Sequence, residues 1–86
     1  MRLIFAGQAW EDCQYWLQTD RKITCRIHEL IKDTTRSPFE GIGKPEPLRH
    51  ALAGYWSRRI TGEHRMVYKV EGNRLLLAQL RYHYAR

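Results

Sequence analysis

The residues with the greatest chemical potential stand at the end of a leucine-rich run near the C-terminus. Residues 75–80 include four leucines, and Arg81, His83 and Tyr84 follow within four residues of the last one. A rigid strand that carries functional groups at its end holds them in fixed positions. We therefore expect residues 75–84 to form an inner strand and the rest of the chain to build a small basic surface around these three side chains.

A further candidate lies in mid-chain, where Glu46 stands between Pro45 and Pro47. Each proline fixes its own φ angle and favours extended geometry in the residue before it, so this carboxylate is held on a stiff backbone. Residues 34–50 contain three prolines and two glycines, which disfavour a helix, and we expect an ordered loop. Its predicted apolar anchors are Phe39, Ile42 and Leu48.

A carboxylate, a histidine and several arginines and tyrosines are sufficient to cleave RNA, because the ribose 2′-OH can serve as the nucleophile. The protein must then remove the 2′-OH proton, stabilise a pentacoordinate phosphate and protonate the leaving 5′-oxygen. Each general acid or base contributes typically ~10²–10⁴-fold. A cation at the phosphate contributes roughly 3–4 kcal/mol, by analogy with an oxyanion-hole donor.

Other chemistries find little support in the sequence. The four histidines form no i, i+4 pair and have no Cys-x-x-Cys partner, so neither a metal site nor a cofactor is predicted. Ser37 and Ser57 lack a nucleophile-elbow context. Residues 41–44 lack the length and the Ser or Thr of a phosphate loop. Cys13 and Cys25 are expected to be small buried side chains in helices, not a disulfide.

Charge is distributed unevenly along the 86 residues, which suffice for one domain, residues 1–86. Residues 44–86 carry nine of the 15 Lys and Arg residues and three of the nine Asp and Glu residues, so all of the net charge of +6 lies there. Such a basic half is typical of a nucleic-acid-binding surface, although small basic proteins are common. No apolar run approaches the ~20 residues of a membrane span, and the apolar N-terminus is too short for a signal peptide. We expect a cytoplasmic protein with no membrane partner.

Hydrophobic periodicity predicts one strand, residues 2–6, followed by two helices. Asp20 is a suitable N-cap for the second helix. The predicted buried stripes are Ala9, Trp10, Cys13, Trp16 and Leu17 in the first helix, and Ile23, Ile27, Leu30 and Ile31 in the second. The polar face of the first helix is expected to carry Glu11, Asp12, Gln14 and Gln18, with Glu11 and Asp12 in its first turn.

From Tyr55 onwards a period of two predicts a three-stranded meander. Three-residue loops at 62–64 and 71–73 would place Ile60 opposite Met66, and Met66 opposite Ala78. In this register the apolar face under the helices consists of Ile60, Met66, Tyr68, Val70, Leu76, Ala78 and Leu80. The opposite face carries Arg59, Arg65, Gln79, Arg81 and His83.

Over nearly its whole length the sequence resembles the YoeB/Txe branch of the RelE-like toxins, which are ribosome-dependent endoribonucleases of bacterial toxin–antitoxin pairs. The segments that carry the resemblance are Glu29-Leu-Ile-Lys-Asp-Thr34, Pro38-Phe-Glu-Gly41, Gly43-Lys-Pro-Glu-Pro-Leu48, Tyr55-Trp-Ser-Arg-Arg-Ile-Thr61, Glu63-His-Arg-Met-Val-Tyr68 and Arg81-Tyr-His-Tyr84.

The resemblance implies a role for each catalytic candidate. Glu46 is similar in position to the family's general base toward the 2′-OH, and His83 to its general acid for the 5′-oxygen. Arg65 corresponds to the arginine that stabilises the transition state, with Arg59 beside it on the predicted face. Tyr84 corresponds to a residue that orients the substrate. Further candidates for RNA binding are Lys44, Arg49, Arg59 and Arg81.

The resemblance also implies a RelE-like α+β fold of βααβββ type, with two N-terminal helices packed on one face of a mainly antiparallel sheet. It implies a metal-independent endoribonuclease that cuts mRNA in the ribosomal A site and inhibits translation. The implied partners are the ribosome, mRNA, a neutralising cognate antitoxin of YefM type and a second copy in a homodimer. These expectations come from the resemblance alone.

Three other functions fit the same basic face. A non-catalytic RNA- or ribosome-binding module would need Arg65 but neither Glu46 nor His83. A gyrase-directed toxin, as among ParE-like relatives, would have no use for acid–base groups. A purely structural partner of another protein would cause no growth arrest. Because a glutamate carboxylate is a weak base toward a ribose hydroxyl, we expect cleavage mainly where the ribosome holds the mRNA in an attack-ready geometry.

Overall fold

The structure is a computed structural model that describes residues 1–83, with two helices packed on one face of a five-stranded sheet. In chain order its elements are β1 (Arg2–Phe5), α1 (Gly7–Thr19), α2 (Arg21–Arg36), β2 (Glu46–Pro47), a short 3₁₀ turn (His50–Leu52), β3 (Trp56–Arg59), β4 (Arg65–Glu71) and β5 (Arg74–Gln79). The strand order is β1-β5-β4-β3-β2; β1 runs parallel to β5 and the other pairs are antiparallel. The predicted α+β class is confirmed. Tyr84 lies outside the described residues.

Asp20 separates the two helices, as predicted. Its Oδ1 accepts a hydrogen bond from the Ile23 N–H at 3.2 Å, which satisfies a backbone donor at the start of α2. At the other end α2 continues to Arg36, three residues into the segment predicted to be a loop. It ends just before Ser37, because the residue that precedes a proline disfavours helical geometry.

The predicted faces of α1 are partly wrong. Trp16 is buried, but Trp10 and Leu17 are each 55% exposed. Asp12, predicted in the first turn and facing solvent, lies in the second turn because the helix begins at Gly7. It is 2% exposed, and its Oδ2 accepts a hydrogen bond from the Leu80 N–H at 2.9 Å. One polar side chain of α1 therefore faces the sheet.

The predicted register of the first hairpin is also wrong. Arg59 pairs with Arg65 and Arg58 pairs with Met66, so residues 60–64 connect β3 and β4. Because this register differs from the predicted one by two residues, the facing of each side chain is unchanged. Arg59 and Arg65 share a face, as expected, while Met66 lies under the helices.

The second hairpin has a two-residue turn where three residues were predicted. Glu71 pairs with Arg74, and Gly72 adopts a positive φ of 58°, which such a turn favours. This one-residue difference reverses the facing in the first part of β5, so Leu75 and Leu77 are buried where Leu76 and Ala78 were expected. An irregularity in the β4–β5 pairing then shifts the register, and Leu80 is buried as predicted.

The hydrophobic core lies between the two helices and the sheet. It consists of Ala9, Trp16, Ile27, Leu30, Ile60, Met66, Tyr68, Leu75, Leu77 and Leu80. Of the predicted loop anchors, Leu48 is buried, whereas Phe39 and Ile42 are exposed. Cys25 is also exposed, contrary to expectation, and both cysteines are free thiols. Within residues 1–83 no helix is both long enough and apolar enough to cross a membrane.

Candidate active site

Glu46 lies at one edge of the sheet, in the two-residue strand β2, where it pairs with Ser57 of β3. The buried side chain of Leu48 anchors this segment to the body of the protein. The Glu46 side chain is exposed and borders an open depression of about 460 Å³ lined by residues 46–50. The strand pairing thus fixes the backbone of Glu46 while its carboxylate stays accessible. Lys44 and Arg49, which flank it, are exposed as well.

A row of paired residues connects Glu46 with the two arginines. Glu46 pairs with Ser57, and Ser57 pairs with Val67. Directly paired side chains project from the same face, as do residues two apart along a strand. Arg59 and Arg65 lie two positions from Ser57 and Val67 and pair with each other. Glu46, Arg59 and Arg65 therefore share the sheet face opposite the helices.

Arg59 and Arg65 differ in how firmly they are held. Arg59 is exposed, whereas Arg65 is only 7% exposed. The Nη1 of Arg65 donates to three carbonyls of the β3–β4 loop, those of Thr61 at 2.8 Å, Gly62 at 3.1 Å and His64 at 3.1 Å. A guanidinium fixed in this way is preorganised to stabilise charge that develops at one defined point.

The chain after β5 turns back onto the start of β4 and carries His83. The Arg65 N–H donates to the Tyr82 carbonyl at 3.0 Å. Nε2 of Gln79 donates to the carbonyls of Arg81, Tyr82 and His83 at 2.9, 3.4 and 3.3 Å. Tyr82 has a φ of 62°, in the left-handed region. His83 is exposed and lies one residue from the backbone contact of Arg65, so the structure brings these two predicted site residues together.

Arg81 does not lie on the face predicted for it. Its Cζ is 3.6 Å from the ring centroid of Tyr15, 4.6 Å from that of Tyr82 and 6.0 Å from that of Trp16. Arg81 therefore stacks on aromatic rings of α1 and of its own segment. Its Nε is buried and has no hydrogen-bond partner within residues 1–83. These contacts give no support to an RNA-binding role for Arg81.

A buried arginine absent from the predicted site holds the loop that leads to Glu46. Arg58 is 0% exposed, and its Nη1 donates to Asp33 Oδ2 at 2.7 Å. Its guanidinium also donates to the carbonyls of Ser37, Glu40 and Ile42. The signal for this burial was present in the sequence, because Arg58 alternates in phase with Trp56 and Ile60 on the inward face.

The loop backbone approaches this ion pair closely. A Cβ at Gly41, whose φ is 121°, would lie 2.1 Å from Asp33 Oδ2, so a side chain at this position would displace the carboxylate. The Tyr68 O–H donates to the Pro38 carbonyl at 2.6 Å. The loop before β2 is therefore attached at several points to groups that lie under the helices.

Two groups beside Arg58 have shifted pKa values. The hydrogen bond from Arg58, followed by that from the Ile42 N–H, lowers the pKa of the Asp33 carboxyl, so this group is ionised at neutral pH. Burial raises the pKa of Tyr68, which keeps its hydroxyl protonated as a donor. Within residues 1–83 there is no group of three or more His, Cys, Asp or Glu side chains that could hold a metal ion.

Comparison with protein families decides the affiliation of this chain. The family described as the YoeB-like toxin of bacterial type II toxin–antitoxin systems matches residues 5–84. The chain belongs to this family. Toxin YoeB of Escherichia coli strain K12 is 60% identical over 84 residues, covering 98% of this chain and 100% of that protein. Toxin YoeB of Streptomyces coelicolor is 54% identical with the same coverage.

Solved structures of YoeB toxins have the same fold as this YoeB-like chain. The YoeB/ParE toxin from Agrobacterium tumefaciens superposes with a TM-score of 0.95 at 49% identity, covering 98% of this chain and 100% of that one. The YoeB dimer from Staphylococcus aureus gives 0.91 at 47% identity, with 98% coverage of both chains. A chain of the heterotetrameric YoeB-YefM complex from that organism gives 0.90 at 47% identity, again with 98% coverage of both chains. The predicted family and fold are confirmed.

The arrangement in this YoeB-like toxin suits acid–base chemistry on a phosphodiester. One carboxylate, one fixed guanidinium and one exposed guanidinium share a face, and an exposed imidazole follows on the segment bonded to the fixed arginine. The carboxylate can accept a proton, the imidazole can donate one, and the guanidinium groups can meet negative charge at phosphorus between them. Tyr84, the remaining catalytic candidate, lies outside the described residues.

Proposed function

We propose that this YoeB-like toxin is a ribosome-dependent endoribonuclease that cuts mRNA in the ribosomal A site and thereby inhibits translation. The observation that carries this proposal is the common sheet face of Glu46, Arg59 and Arg65, with the His83 segment bonded to the backbone of Arg65. A site with these groups on one accessible surface can contact the ribose, the phosphate and the leaving oxygen of one nucleotide step.

In the proposed reaction Glu46 removes the proton of the 2′-OH, and the 2′-oxygen attacks the adjacent phosphorus. Arg65 stabilises the pentacoordinate phosphate. The bond to the 5′-oxygen breaks, and His83 in its protonated form donates a proton to that oxygen. The products are a 2′,3′-cyclic phosphate and a free 5′-OH. The ribose supplies the nucleophile and arginine supplies the positive charge, so we propose a metal-independent reaction.

The remaining candidates act on binding. Arg59 is exposed beside the fixed Arg65, and the exposed residues Lys44 and Arg49 flank Glu46, which supports the proposal that all three bind neighbouring phosphates. We assign orientation of the substrate to Tyr84. Because Glu46 lies on an open surface and not in an enclosed pocket, the site does little to force RNA into an in-line geometry by itself. The ribosome would supply that geometry, which is worth several orders of magnitude in rate.

We further propose a cytoplasmic protein that is neutralised by a cognate antitoxin of YefM type and that forms a homodimer. The support comes from the relatives. The Staphylococcus aureus protein, 47% identical to this chain, is known both as a YoeB dimer and in a heterotetrameric complex with YefM. Ribosomes and mRNA, the proposed targets, are found in the cytoplasm of bacteria.

The decisive experiment is primer extension on an mRNA translated in a purified system, with wild-type protein and His83→Ala. We expect site-specific cuts within A-site codons that require ribosomes and disappear in the variant. His28→Ala, which changes an exposed histidine of α2, is the matched control and should cut like the wild type. Translation blocked without cuts, equally in all three proteins, would instead indicate a non-catalytic ribosome-binding module.

A further inference from the structure

A second histidine, His64, holds the backbone of the segment that carries His83. The Tyr82 N–H donates to His64 Nδ1 at 2.7 Å. Since the backbone N–H is the donor, Nδ1 must be unprotonated, and the neutral ring then carries its proton on Nε2. Oε1 of Glu63 lies 3.9 Å from Nε2, beyond hydrogen-bond distance.

His64 is well suited to act as a fixed acceptor, because both its ring and its backbone are held. It is 9% exposed, and its ring lies 4.9 Å from the ring of Trp16 at an interplanar angle of 75°. Its N–H donates to Thr61 Oγ1 at 3.1 Å, and its carbonyl accepts from the Ile60 N–H at 2.9 Å. The position of Nδ1 is therefore determined by the β3–β4 loop and by α1.

The peptide groups around Tyr82 are held from two sides by neighbouring residues. The His64 side chain accepts from the Tyr82 N–H, and the Arg65 backbone N–H donates to the Tyr82 carbonyl. At the start of the same segment, Leu80 donates to Asp12 and accepts from the Trp16 indole N–H at 2.8 Å. His83 follows directly after the doubly held residue, so its backbone position relative to Arg65 depends on both contacts.

We propose that His64 is a positioning residue for the cleavage reaction: through the Tyr82 N–H it fixes the backbone turn that presents His83 beside Arg65. This inference rests on the proposed nuclease function. His64 does not touch the RNA; it determines the distance between the general acid and the phosphate-stabilising arginine. A displacement of about 1 Å in such a geometry reduces a rate by roughly 10²-fold.

Two substitutions separate the acceptor from the ring. His64→Phe keeps an aromatic ring against Trp16 but removes the acceptor, whereas His64→Asn keeps an acceptor at nearly the position of Nδ1. In single-turnover cleavage of ribosome-bound mRNA, we expect His64→Phe to be slower by about 10²-fold with unchanged affinity for the ribosome. His64→Asn should recover most of the rate. His28→Asn, an exposed histidine on α2, is the control for the chemical change.

The outcomes distinguish this inference from the function on which it rests. If the wild-type protein cuts no ribosome-bound mRNA, the proposed function fails. If the wild type cuts and His64→Phe cuts equally fast, only the positioning role fails. An equal loss in His64→Phe and His64→Asn would also overturn it, because the acceptor would then not matter.

A spectroscopic measurement tests the contact without activity. In wild-type protein, the ¹⁵N shifts of the His64 ring should show the Nε2–H tautomer, and the Tyr82 amide should be protected from hydrogen exchange. His64→Asn should keep that protection and His64→Phe should lose it. An Nδ1–H tautomer, or an unprotected Tyr82 amide in the wild type, would overturn the inference even if a variant failed to fold.

Discussion

The guanidinium of Arg58 and the carboxylate of Asp33 form a buried ion pair, with Nη1 2.7 Å from Oδ2. Asp33 lies near the end of α2 and Arg58 lies in β3. The pair therefore joins α2 to the strand with which Glu46 of β2 is paired. The remaining guanidinium donors are taken up by loop carbonyls and the Tyr68 hydroxyl. A buried guanidinium needs this many hydrogen bonds to offset the free-energy cost of removing its charge from water.

Removing the Arg58 guanidinium should therefore strongly destabilise the folded protein. Arg58→Met removes the buried guanidinium partner of the Asp33 carboxylate, which keeps only its hydrogen bonds from Arg36 and the Ile42 N–H. It also removes the donors to the carbonyls of Ser37, Glu40 and Ile42. Breaking a buried pair in this way costs about 3–5 kcal/mol. In a domain of this size about 1 kcal/mol lowers Tm by roughly 4–8 °C. Thermal melts followed by circular dichroism should show a fall in Tm of more than about 10 °C.

The control for Arg58→Met is Arg36→Met. Arg36 also contacts Asp33, at 2.6 Å, but its side chain is 77% exposed. An exposed pair contributes about 0–1 kcal/mol, so its loss should lower Tm by no more than about 8 °C. Equal effects of the two substitutions would contradict the central position given to Arg58.

Because of the same ion pair, we expect the free energy of unfolding to depend on pH. The hydrogen bond from Arg58 and then that from Ile42 lower the pKa of Asp33 in the folded state. A lowered pKa means that the stabilisation is complete above the ordinary Asp value of about 3.9 and is lost as the pH falls through the folded-state pKa. Urea midpoints measured from pH 7 down to pH 2 should therefore fall most steeply below about pH 4.

Asp33→Asn is the test of that assignment. The variant should be less stable at neutral pH, and its urea midpoint should vary less with pH in the acid range, because the coupled carboxyl is gone. An unchanged acid slope in Asp33→Asn would show that other carboxylates cause the dependence.

Whether a feature of the structure could be predicted from the sequence depends on how far apart in the chain the contacting residues are. The Asp20 cap and the common facing of Arg59 and Arg65 depend on local patterns, and both were predicted correctly. The alternation of β3 puts Arg58 on the inward face, but its ion-pair partner Asp33 is 25 residues away, so the pattern could not show how this buried charge is compensated. For the same reason Asp12, whose backbone partner Leu80 is 68 residues away, was assigned to solvent.

The predicted register of the β4–β5 hairpin was wrong for a different reason. Three consecutive leucines, Leu75 to Leu77, have no alternation, so the pattern cannot tell which face of β5 is buried. Turn length then decides the facing, and the choice of a three-residue turn at 71–73 was wrong. Gly72-Asn73 carried the correct signal, since a glycine with positive φ favours a two-residue turn. At the candidate site, the alternation predicted that Arg59 and Arg65 share a sheet face. It could not show that the pairing of β2 with β3 puts Glu46 on the same face.

Arg59 and Arg65 should respond differently to substitution because they are held differently. Arg65→Ala removes three hydrogen bonds to the β3–β4 loop and a phosphate-stabilising charge, so both Tm and cleavage should fall. Arg59→Ala changes an exposed side chain, so cleavage should fall while Tm stays within a few degrees of the wild type. Paired melts and single-turnover rates measure this, and a large loss of Tm in Arg59→Ala would contradict it.

Arg65→Lys separates the two contributions of Arg65. A lysine keeps the positive charge but cannot reproduce the planar fork of donors. We expect a smaller loss of Tm than in Arg65→Ala and a cleavage rate still well below that of the wild type. A fully active Arg65→Lys would show that charge alone is sufficient at this position.

Glu46→Gln tests the proposed general base with the least structural change. The side chain is exposed and the substitution preserves its shape, so Tm should be unaffected. Glutamine cannot accept the 2′-OH proton, and the single-turnover rate on ribosome-bound mRNA should fall by about 10²–10⁴-fold. Affinity for the ribosome should be retained or increased, because a negative charge beside the RNA backbone is removed.

Glu29→Gln, which makes the same change at an exposed position of α2, should behave like the wild type. If Glu46→Gln cuts as fast as the wild type while His83→Ala does not cut, then another group, in the protein or in the ribosome, takes the ribose proton.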